Sequence, residues 1–118
     1  MSYKTIEVTT KQDVTVIRIL ERRIFLHITE DFRNEILSII EDGADKVVMD
    51  LSAVNVMNSS GLGVLMLARD KMEKRKGTLV LCGLQPIMAE IFSRMHLDTF
   101  FQVFKDQDEA LAKMQTKN

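Results

Sequence analysis

The stretch that decides the fold is KVVMDLSAVNVMNSSGLGVL, residues 46–65. Lys46 to Leu51 carries Val47, Val48 and Met49 without interruption, the composition of a central strand. Asn58-Ser59-Ser60-Gly61 then supplies side chains that satisfy the open N–H groups of a helix start. Beyond it Leu62, Leu65, Met66, Arg69 and Met72 fall on one stripe, with Asp70, Lys71, Glu73 and Lys74 opposite. The segment therefore predicts a strand, a loop bearing two serines, and an amphipathic helix beginning near Ser60.

Downstream, Gly77 closes that helix and Thr78 to Cys82 (TLVLC) has the composition of a buried strand. Pro86 suits the first turn of a further helix, packing Ile87, Ile91 and Met95 with Met88 and Phe92 adjacent. Phe100 to Phe104 predicts a last short strand, and Asp108 to Gln115 a terminal helix. Upstream, Thr5 to Thr9 and Asp13 to Leu20 are rich in β-branched residues and join at Gln12-Asp13 as a hairpin. After Glu21-Arg22-Arg23 comes the short apolar piece Ile24 to Ile28. A helix capped by Thr29 follows, with Glu30 and Asp31 in its first turn. Phe32, Ile36, Ile39 and Ile40 line its buried side, Leu37 sits beside them, and Gly43 ends it. Strands alternating with helices predict an α/β fold, a mixed central sheet with about four helices packed against it.

Composition narrows the function. The length of 118 residues suits one domain, taken as residues 1–118, and 46% hydrophobic against 28% charged is a folding composition. A net charge of -1 leaves no electrostatic footprint for nucleic acid. No apolar run approaches a membrane span, and Met-Ser-Tyr-Lys-Thr lacks the apolar core of a signal peptide, so a cytoplasmic protein with no membrane partner is expected. One cysteine cannot form an internal disulfide.

Catalytic constellations fail one after another. Neither serine sits in Gly-x-Ser-x-Gly, for Met57 and Asn58 occupy the position two before them. His27 and His96 stand in apolar settings without a motif. Gly61-Leu62-Gly63 lacks both the third glycine of a dinucleotide loop and the Gly-Lys-Ser/Thr of a P-loop. Cys82 is alone between Leu81 and Gly83, which excludes a metal cluster around it and marks it as a small buried hydrophobe. Asp50 at a strand end suggests a phosphoryl-accepting aspartate, but Glu21-Arg22-Arg23 stands where such a receiver needs an acidic pair for Mg²⁺. Asp50 is expected instead to hydrogen-bond the backbone of the following loop. Asn58-Ser59-Ser60-Gly61 remains. Its residues cap a helix, and a hydroxyl at a helix N-terminus beside glycine is also where an added phosphate is best tolerated.

The run Val47 to Leu65, with Asp50-Leu51-Ser52 and Asn58-Ser59-Ser60-Gly61-Leu62-Gly63 inside it, resembles the signature of the STAS domain, and more narrowly the bacterial anti-sigma factor antagonists. Gly77 to Cys82 and the segment from Ile91-Phe92 to Leu97-Asp98 fit as well, so the likeness covers nearly the whole chain. The resemblance implies a protein-binding module, not an enzyme, with no cofactor of its own. Its partners would be an anti-sigma factor-like serine kinase, to which ATP would belong, and a PP2C-type phosphatase. Ser59 corresponds to the phosphorylated serine. Asn55, Met57, Asn58, Ser60, Gly61 and Leu62 would contact the partner, and the domain would be a monomer or weak dimer. Output through secretion, biofilm formation or another signalling route is the alternative, and a small hydrolytic or phosphate-binding enzyme a more distant one. Two positions depart from the family pattern: Asn58 replaces an acidic residue, and Arg22-Arg23 lies where acid is usual.

Overall fold

The computed structural model describes residues 3–115. Along them run β1 (Ile6–Lys11), β2 (Val14–Ile19), β3 (Arg23–Ile24), α1 (His27–Glu41), β4 (Lys46–Asp50), β5 (Val56–Met57), α2 (Ser59–Lys74), β6 (Thr78–Cys82), α3 (Pro86–Arg94), a 3-10 turn (Leu97–Thr99), β7 (Val103–Phe104) and α4 (Gln107–Gln115). The expected domain of residues 1–118 includes residues 1–2 and 116–118, which lie outside the described ones.

The main sheet has the order β1-β2-β4-β6-β7. Only the β1–β2 hairpin is antiparallel, so the sheet is mixed, as expected. Side-chain alternation sends Ile17, Ile19, Val47, Met49, Leu79 and Leu81 into a large core with α1, α2 and α3. Val14, Val16, Val48, Val80 and Cys82 face the other way, under Ala110, Leu111 and Met114 of α4. β4 is thus buried on both faces, which is why its sequence is apolar without alternation. A separate pair, β3 and β5, runs parallel, Arg23 opposite Val56 and Ile24 opposite Met57.

Three expectations are corrected. α1 begins at His27, two residues before the predicted cap, because only Phe25 and Leu26 separate it from β3. Leu26 takes the cap position at φ 57°, ψ -139° with no capping side chain, and Thr29 lies inside the helix, buried. On α3 the apolar stripe turns the other way. Met88 and Phe92 are buried, Phe92 against Phe101 with ring centroids 6.0 Å apart, while Ile87 and Met95 are half exposed. β7 is only two residues long, for the 3-10 turn occupies the chain just before it and Phe100 points outward. β5 was not predicted, since two residues carry no periodicity.

Candidate functional site

The loop from β4 to α2 is fastened along its length. Leu51 N–H donates to Cys82 O at 2.9 Å, Ser52 N–H to Asp50 Oδ1 at 2.8 Å and Val54 N–H to Leu51 O at 3.0 Å. The Gln85 amide donates to Ser52 O at 2.8 Å. Farther on, Asn55 N–H and Val56 N–H both donate to Arg22 O, at 2.7 and 3.2 Å, and Asn58 N–H donates to Ile24 O at 2.9 Å. Asp50 does bind the following loop, and its second oxygen accepts from Gln107 Nε2 of α4 at 2.7 Å. Cys82, beside it in the next strand, has its thiol pushed up to about 12 by burial and by the charges of Asp50 and Asp106. Such a thiol is inert near neutral pH.

Asn58 starts α2. Its Oδ1 accepts from Gly61 N–H at 2.7 Å and from Thr29 Oγ1 at 3.4 Å, so one amide caps α2 and ties it to α1. Ser59 and Ser60 are the first two helical residues. Both are exposed, and neither hydroxyl is hydrogen-bonded among the described residues. Gly61 has a packing reason. A Cβ there would lie 2.4 Å from Met57 Cγ and 3.1 Å from Ile24 Cγ2, both buried side chains.

Of the residues predicted to meet a partner, Asn55, Asn58, Ser59 and Ser60 reach the surface together. Met57, Gly61 and Leu62 are buried. Two grooves take in residues of this segment, the first Asn58 and Ser60 and the second Asn55. One, of about 680 Å³, runs between α1 and α2 over Leu26, Glu30, Arg33, Ser60, Gly63 and Leu67. The other, of about 590 Å³, is lined by Leu20, Glu21, Arg22, Arg23, Phe25, Ile28 and Asn55. The α1 residues of the first groove escaped prediction because the contact between α1 and α2 is tertiary. Leu26 alone left a sequence trace, as an apolar residue just ahead of a helix. It is 75% exposed and its φ is left-handed, a double cost for a leucine. No cluster of His, Cys, Asp or Glu among the described residues could hold a metal, and no helix among them is long and apolar enough to cross a membrane.

Comparison with known proteins gives a consistent result. Residues 5–110 match the family model described as the STAS domain. A Bordetella bronchiseptica protein, named as a candidate anti-sigma factor antagonist, BtrV, is 30% identical over 87 residues, which are 74% of this chain and 75% of that one. An anti-sigma factor antagonist of Mycobacterium paratuberculosis superimposes with a TM-score of 0.85 at 24% identity, over 95% of this chain and 94% of that one. The Bacillus cell fate determinant SpoIIAA in its phosphorylated form gives a TM-score of 0.72 at 21% identity, over 93% and 99%. At these identities the two structures speak for the fold alone.

Proposed function

This chain belongs to the STAS domain family, alongside anti-sigma factor antagonists, and from that premise we propose that it is a protein-interaction switch thrown by phosphorylation of Ser59. The observation that supports this most is an exposed, unengaged hydroxyl at the first residue of α2, just after a fastened loop and next to Asn58 and Ser60, which line the groove between α1 and α2. Phosphate added there brings about -1.5 to -2 charges and three strong acceptors to a surface that is otherwise apolar and mixed in charge. The helix N-terminus and the neutral Asn58 amide tolerate that charge locally, while a partner seated across the grooves would have to desolvate it.

In this reading the chain performs no chemistry and needs no cofactor. An anti-sigma factor-like serine kinase brings ATP, binds the unphosphorylated domain and modifies it, and a PP2C-type phosphatase restores it. The domain acts in the cytoplasm as a monomer or weak dimer. Phosphorylation is also a property of SpoIIAA, which shares the fold.

The test is to isolate the protein from its own cells, map phosphopeptides with and without phosphatase treatment, and titrate variants against the kinase recovered with it. One removable phosphate on Ser59, Ser59→Ala competent for partner binding and Ser59→Asp at least tenfold weaker are expected. Equal affinity of the two variants would sink the switch.

A further inference from the structure

Seven arginines occupy the described residues, and four of them, Arg18, Arg69, Arg75 and Arg94, are ion-paired within the chain. The other three are Arg22, Arg23 and Arg33; Arg33 lines the groove that takes in Asn58 and Ser60, and Arg22 and Arg23 line the one that takes in Asn55. Three of the large apolar side chains left in solvent, Leu20, Phe25 and Leu26, line these grooves too, and the exposed Val56 stands opposite Arg23 in the small sheet. The backbones of Arg22 and Arg23 are fixed, because Arg22 O receives the Asn55 and Val56 N–H groups and Arg23 pairs with Val56 across the small sheet. Among the described residues, Glu21 is the only acidic one lining their cleft.

We infer that the cleft formed by Leu20, Arg22, Arg23, Phe25, Ile28 and Asn55 is a recognition site for an acidic, apolar-bearing segment of a protein partner. The two guanidinium groups would take carboxylates by paired hydrogen bonds, and Phe25 with Leu20 would cover an apolar side chain between them. Charge complementarity selects the acidic class, since a basic segment would meet two unpaired cations. The cleft is concave and shares Asn55 with the serine loop, so a protein seated over Ser59 reaches it. Two arginines on a concave wall suit a peptide segment better than a flat lipid surface. This inference extends the switch reading by naming the chemistry of the docking segment, but it does not depend on phosphorylation.

The experiment is an NMR titration of the ¹⁵N-labelled full chain with three synthetic peptides: an acidic one carrying Leu and Phe, its Lys-substituted counterpart, and an acidic one with Ser in place of Leu and Phe. The expected result is that the first peptide shifts the amides of residues 20–28 and 55, that it binds better than the other two, and that it weakens as salt rises. Charge reversal by Arg22→Glu with Arg23→Glu is expected to weaken it roughly tenfold or more. Arg22→Gln with Arg23→Gln, checked for an unchanged melting temperature, is expected to give a smaller loss in the same direction. Ser59→Ala and Ser59→Asp should bind this peptide alike, which separates failure here from failure of the switch. Equal binding of the three peptides, shifts elsewhere on the surface, no binding, or binding only to phosphatidylserine-containing vesicles would each overturn the inference.

Discussion

Two glycines, two positions apart on α2, should respond in opposite ways to the same substitution. Alanine in place of glycine inside a helix is worth roughly 1 kcal/mol. Gly63 is exposed, and a Cβ there meets nothing within 4 Å, so Gly63→Ala should realise that gain. For a chain of this length 1 kcal/mol moves the melting temperature by about 4 °C. At Gly61 the same methyl group would lie 2.4 Å from Met57 Cγ, 3.1 Å from Ile24 Cγ2 and 3.2 Å from Met57 Sδ. Met57 and Ile24 are 5% and 0% exposed, so neither can swing into solvent without opening the core. Overpacking of this kind costs about 1–3 kcal/mol. The helical gain is common to both variants, so their difference isolates the packing cost: Gly61→Ala should fall below Gly63→Ala by roughly 1–3 kcal/mol. Urea denaturation followed by far-UV circular dichroism measures it. In the Gly61→Ala background, Met57→Ala should cost less than it does alone, because the added methyl enters the space vacated. Two glycine variants of equal stability would refute the packing described for the α2 start.

The N-terminal tether gives a pH prediction. Burial works against ionisation of Glu35, but the Thr5 hydroxyl, the Lys4 and Thr5 N–H groups and the Lys4 charge together hold its carboxyl below the ordinary value of 4.5. The folded state therefore binds fewer protons than the unfolded one in that range. Its contribution is complete above pH 4.5 and is lost as pH falls through and below that value, and Glu35→Gln should flatten the stability profile there. At Leu26 the left-handed backbone and the exposed side chain make Leu26→Gly a stabilising change of roughly 1 kcal/mol, whereas Leu26→Ala should give no such gain. Chemical denaturation of the pair decides it, and a loss of stability on Leu26→Gly would show that the backbone there is not strained.

What the sequence revealed was the part encoded locally. The central strand, the Asn58 cap and the hairpin are each specified by adjacent residues, and the structure has them within a residue or two of prediction. α3 was harder. Ile87, Ile91 and Met95 form as good an apolar stripe as Met88 and Phe92, and tertiary packing, including that of Phe92 on Phe101, settles which of them is buried. Thr29 misled for a related reason. It has the chemistry of a cap, but the two-residue connection from β3 starts α1 earlier and leaves its hydroxyl to Asn58. In the site itself, residues next to the serines were legible by position, but which of them face outward was not. Met57 and Leu62 are apolar chain neighbours of Ser59 that are buried, and Arg33 and Leu67 joined the groove only through the packing of one helix on another.

The fastening of the serine loop bears on how fast such a device could run. Seven of the hydrogen bonds described above hold residues 51–58 to Arg22 and Ile24, to Cys82 of β6, to Gln85 just ahead of α3, to Asp50 and to the loop's own backbone. A loop held at so many points has little freedom to change shape, so a charge placed at Ser59 would alter the electric field a visitor meets while the backbone stays where it is. No slow refolding step would then separate a marked state from the unmarked one. The response time of the pair would be set by how often the modifying proteins arrive and by their turnover, and the protein's memory of a signal would last as long as the phosphoester bond itself.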